Sequence, residues 1–98
     1  MNFEQGYEAV AAAQTDKAVG SAKVGTVIAR LLVSVATAVT STVSIKDGDG
    51  SAIPLVAANT AVGIYSVEVG MAAKNATTPG WKVTTGAGVS VIVIGKLN

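Results

Sequence analysis

From Lys23 onward, polar and apolar residues alternate with a period near two, interrupted by turn residues roughly every eight to twelve positions. In an extended run, Val27, Ala29, Leu31, Val33 and Val35 would share one face, and Ile28, Arg30, Leu32 and Ser34 the other. "STVSIKD" (41–47) alternates Val43 and Ile45 with Thr42, Ser44 and Lys46, the mark of a strand with one wet face. "AIPLV" (52–56) is a short strand whose Pro54 lacks an N–H, which assigns it to an edge. "GIYSVEVG" (63–70) sets Tyr65, Val67 and Val69 against Ile64, Ser66 and Glu68. "WKVTTG" (81–86) places Trp81, Val83 and Thr85 on one side. "GVSVIVIGKL" (88–97) is nearly continuous in β-branched residues and predicts a central strand buried on both faces.

These six strands predict an all-β fold, a small antiparallel β-sandwich or jelly roll spanning residues 23–98. Residues 1–22 read differently. "YEAVAAAQTDKAVG" is alanine-rich enough for a helix, yet Gly6 and the small residues equally fit an extended arm or edge segment. The pattern leaves both open, with the arm or strand ahead. It does not say whether the strands at 23–35 and 41–47 share a sheet.

Composition narrows the chemistry. Half of the 98 residues are apolar, but Ala and Val carry that total and only 4% are aromatic, which suits thin packed sheets. Charged residues make up 13%, against roughly 25% in ordinary soluble chains, so part of the surface is expected to be covered by other molecules. The net charge is +1 with no Lys/Arg cluster, which argues against nucleic acid as a partner. No histidine and no cysteine are present, removing the commonest general base, the commonest transition-metal ligand and any disulfide. The run 24–43 is broken by Gly25, Arg30 and several Thr and Ser, so no membrane span is expected. The opening "MNFEQGYE" does not read as a secretory signal, and a soluble protein made without export is the expectation.

The one stretch that resembles a site is "SIKDGDGSAIPLV" (44–56). A calcium loop begun at Asp47 would have oxygen donors at Asp47, Asp49 and Ser51. It would then place Ala52 where a glycine must turn and Ala58 where a bidentate glutamate must stand. Asp-Gly between two alternating runs is instead a strong hairpin signal, and the hairpin is the expectation. Gly86-Ala87-Gly88 precedes a strand and lacks the third glycine of a dinucleotide loop, so it reads as a turn. Asn75-Ala76-Thr77 has the form of a glycosylation sequon inside a loop, 73–80. The acids Glu4, Glu8, Asp16 and Glu68 are scattered, and none pairs with another at a spacing that suggests acid–base work. Expected are no catalytic residues, no metal and no cofactor. Phe3, Tyr7 and Trp81 are the candidate interface residues; the sole tryptophan is also a natural plug for a β core.

Four segments together resemble a loose group of small bacteriophage virion proteins. They are a strand ending in a "DG" hairpin (Ile45 to Gly48), a glycine-led strand (Gly63 to Val69), a "G-aromatic-x-V-x-T" strand (Gly80 to Thr85) and a two-glycine final strand (Gly86 to Ile94). The likeness runs from Arg30 to Leu97 and is one of texture. It implies a β-sandwich or jelly roll that decorates or cements phage heads, or forms spikes and fibre bases, usually as a homotrimer. The implied function is non-enzymatic: a capsid decoration or cement protein that bridges major capsid protein subunits in the virion after assembly in the bacterial cytoplasm. The alternative is a spike or fibre-base module for host glycans, with Trp81 and the 75–78 loop at its tip. An exposed Trp81 would favour that alternative.

Overall fold

A computed structural model describes residues 6–36, 42–57 and 59–97. Eight strands follow in order: β1 (Gly6–Val10), β2 (Lys17–Val19), β3 (Val27–Val35), β4 (Val43–Asp47), β5 (Ile53–Val56), β6 (Gly63–Ala72), β7 (Trp81–Thr84) and β8 (Val89–Lys96). They form two four-stranded antiparallel sheets, ordered β1-β8-β3-β6 and β2-β7-β4-β5, with no helix among the described residues. The pairings β4·β5, β3·β6, β2·β7 and β1·β8 are nested, so the chain forms one long ribbon folded over itself. The runs at 27–35 and 43–47 lie in different sheets.

Inward residues of both sheets make one core. Val10, Ile28, Leu31, Val33, Val89, Val91 and Val93 come from the first sheet, and Val19, Val43, Ile45, Trp81 and Val83 from the second. Alternation is the reason: successive side chains of a strand point to opposite faces, and these β-branched residues stack at the spacing of two sheets. The two-sheet all-β architecture follows the sequence pattern.

Two strand expectations need correction. Ile28 is fully buried alongside Leu31, Val33 and Val35, although simple alternation puts it on the opposite face. The register shifts between Ile28 and Arg30 against both neighbours: against β6 the extra residue lies on β6, at Val69–Gly70, whereas against β8 Ala29 is the extra residue and switches the inward parity. Gly95 permits this: it pairs with Ile28, and a Cβ there would collide with the Val27 carbonyl and stand 2.8 Å from the Ala29 nitrogen. Strand β8 is interior, between β1 and β3, but only one of its faces is buried. Ser90 is exposed and Ile92 is 38% exposed, because nothing among the described residues covers that side of the sheet.

The N-terminal segment takes the edge form, on this chain's own sheets. Strand β1 pairs with β8 and β2 with β7, and Val10 and Val19 are buried in the common core. Alanine's helix preference is weak, and the burial of Val10 and Val19 outweighs it. Where β1 and β2 meet at one side of the sandwich, Lys17 Nζ lies 3.9 Å from Glu8 Oε2, and the Gly20 N–H donates to Glu8 Oε1 at 3.0 Å.

Candidate functional site: the Asp47 clasp and the outer face

The Asp47 stretch is a hairpin turn, and it is also more than a turn. Strand β4 carries Asp47 to its last position, beside the loop between β6 and β7. Asp47 Oδ2 accepts the backbone N–H groups of Lys74 at 2.8 Å and Asn75 at 3.0 Å. The Asn75 amide donates to Asp49 Oδ1 at 2.7 Å and to the Asp47 carbonyl at 3.4 Å. Asn75 Oδ1 in turn accepts the Thr77 and Thr78 N–H groups, and the Asp49 N–H donates to the Thr78 hydroxyl at 3.2 Å. Gly48 adopts a φ of +62°, and a side chain there would run into the Thr78 carbonyl. The Gly48 N–H donates to the Gly80 carbonyl at 2.7 Å.

These bonds spend the carboxylates on a neighbouring loop. Asp49's pKa is held below the ordinary aspartate value by the Thr78 hydroxyl first and the Asn75 amide second. A carboxylate that accepts amide protons favours its charged form. Asp47 Oδ1 is buried and accepts no hydrogen bond among the described residues. Among those residues no three His, Cys, Asp or Glu side chains come together as a metal-binding group. The loop that carries the Asn75-Ala76-Thr77 sequon is thus the other half of the clasp.

The scattered acids have separate local roles. Asp16 Oδ2 accepts from Lys46 Nζ at 3.2 Å, and the Asp16 N–H donates to the Thr84 hydroxyl at 3.0 Å. Glu68 stands across from Arg30 on β3. Gly86-Ala87-Gly88 is a turn whose Gly86 carbonyl accepts the N–H groups of Ala13 and Val89. Glu4 and Phe3 lie outside the described residues.

The aromatic candidates separate. Trp81 is 3% exposed and its indole N–H donates to the Thr26 carbonyl at 3.0 Å. Its assignment as an interface residue gives way to its role in the core, because the ring fills the space between the sheets and its one donor is satisfied inside. No exposed indole remains to stack on a sugar. Tyr7, by contrast, is 75% exposed on the outer face of β1. It stands next to Ile94, and in the adjacent row Ala9, Ile92 and Leu32 line up across β1, β8 and β3. Cross-strand neighbours sit about 5 Å apart, so these five residues form one apolar patch on the open side of the sheet. Alternation alone could not reveal it, because it depends on which strands lie side by side.

No protein-family model matches the chain, and no curated protein and no solved structure is significantly similar to it. No helix among the described residues is long and apolar enough to cross a membrane.

Proposed function

We propose that the chain is a jelly-roll subunit with a structural, non-catalytic role in a bacteriophage particle, a decoration or cement protein of the head. The observation that carries this reading is the strand order β1-β8-β3-β6 over β2-β7-β4-β5 with its four nested pairings. Eight strands folded over themselves in that order support the jelly-roll reading, a double-sheet design used by viral capsid domains. Fold alone does not assign function. Two further features support the assignment: the virion-protein texture of residues 30–97, and the apolar patch of Tyr7, Ala9, Ile92, Ile94 and Leu32. A surface with so few charges and such a patch suits a protein that works while covered. Many modest contacts repeated on a symmetric shell would raise the cost of separating its subunits.

The test uses shells of the phage that encodes the chain, assembled without it. The purified protein should bind those shells to saturation and raise the temperature at which they release their contents. Tyr7→Asp, which places a charge in the patch without touching the core, should lose that binding while remaining folded. Failure of the wild-type chain to bind shells would overturn the proposal.

A further inference from the structure

The sandwich has two open sides, and they are built differently. At the β1/β2 side, an ion pair between Lys17 and Glu8 spans the two sheets. The opposite side is formed by β6 and β5, the far members of the two strand orders. There Ile53, Leu55 and Val56 of β5 and Tyr65, Val67 and Val69 of β6 pack on the core while remaining partly exposed. The side chains of these two strands that face the core include no charge.

The edges differ in the same sense. Strand β2 has three residues, β1 has five, and β5 has four including Pro54. Short strands and proline are the usual means of blocking an edge. Strand β6 has ten residues and no proline, with Glu68 its only charge; its one irregularity is at Val69–Gly70, where the register shifts against β3 and Gly70 has a φ of +65°. It pairs with β3 on one side, and no backbone hydrogen bond reaches its other side among the described residues. Ile64, on its outward face, is 78% exposed.

We infer that the free edge of β6 is a self-association edge, which a second copy occupies by pairing its own β6 antiparallel about a two-fold axis at Val67. Antiparallel partners share a face, so a two-fold axis must pass through a residue position. An axis at Glu68 sets two carboxylates directly opposite, which is unfavourable. An axis at Ser66 sets Glu68 against Ile64. The axis at Val67 sets Val67 on Val67, Tyr65 on Val69, and Ser66 beside Glu68, twice by symmetry. Apolar residues then meet over the seam while each carboxylate meets a hydroxyl. The two first sheets become one continuous sheet, and the exposed seam of each copy closes on the other. The Val67 register pairs Gly63 through Met71, nine residues at about 3.4 Å each, an edge about 31 Å long. The molecule is 17 Å across its thinnest dimension, so the contact covers on the order of 1,000 Å² in total, the size of a weak, dissociable interface. The inference rests on the sheet edge alone and does not depend on a virion role.

Light scattering across a dilution series, together with cross-linking, tests it. The wild-type chain should have twice the mass of its 9.7 kDa protomer and dissociate on dilution. The chain has no cysteine, so Val67→Cys should give a covalent dimer on oxidation, while Ala18→Cys, exposed on β2, should not. Ser66→Glu should weaken the dimer about tenfold and Ser66→Lys should tighten it about as much, each change acting twice across the axis. Position 66 is exposed, so both variants should keep the wild-type fold by circular dichroism. A monomer at every concentration would overturn the inference. So would a trimer, since a single two-fold contact cannot build one, or a dimer that the Val67→Cys substitution fails to lock.

Discussion

Replacing Asp47 with Ala separates the clasp from the metal loop that its sequence suggests. The substitution removes an acceptor that holds two backbone N–H groups, from Lys74 at 2.8 Å and Asn75 at 3.0 Å. Hydrogen bonds to a charged group contribute roughly 1.5–3 kcal/mol each. Lys74 is exposed and its amide can be rehydrated, so the lower end applies, about 3 kcal/mol for the pair. For a domain near 100 residues, 1 kcal/mol moves Tm by about 4–8 °C. The expected fall is therefore roughly 12–24 °C, read by circular dichroism at neutral pH. The wild-type midpoint should be the same in millimolar calcium and in chelator. A fall under about 4 °C would show that the turn holds without the clasp, and a calcium-dependent rise would show that the carboxylates serve an ion.

Other substitutions probe the remaining supports. Trp81→Phe removes the donor to the Thr26 carbonyl and should cost about 1–2 kcal/mol in denaturant unfolding; that carbonyl keeps its bond from the Ala73 N–H. Before substitution, the single tryptophan should fluoresce at short wavelength in the native state, and a solvent-like spectrum would contradict its burial. Gly95→Ala forces a methyl group into the Val27 carbonyl, so about 3 kcal/mol or more of stability should be lost; an unchanged midpoint would contradict the inserted residue at Ala29. Asp49's pKa is lower in the folded chain, so its contribution is present above the unfolded aspartate value and lost as pH falls through the folded one. Stability should therefore decline below about pH 4, and Asp49→Asn should decline less steeply over that interval.

What the sequence revealed was what period-two alternation encodes. Strands β3 to β8 follow it because each has one face in the core, and Trp81, Val83 and Thr85 lie inward as their spacing implies. Parity fails where one residue is inserted: nothing about Ala29 marks it, and the clue lies in Gly95, 66 positions away in the chain. The clasp has the same character. Asp47-Gly48-Asp49-Gly50 announces a turn, but its meaning depends on Asn75, which the fold brings within 2.7 Å of Asp49. The N-terminal strands are ambiguous in sequence because alanine is tolerated in both conformations, and only pairing with β7 and β8 decides between them. The outer patch and the β6 edge are properties of strand order, which local sequence does not carry.

The most direct test of a structural role in a phage particle is quantitative mass spectrometry of gradient-purified virions. Intact particles should contain this chain in an amount comparable to the shell subunit, comigrating with them. Its absence from purified particles, with the protein confined to the soluble lysate, would contradict that role.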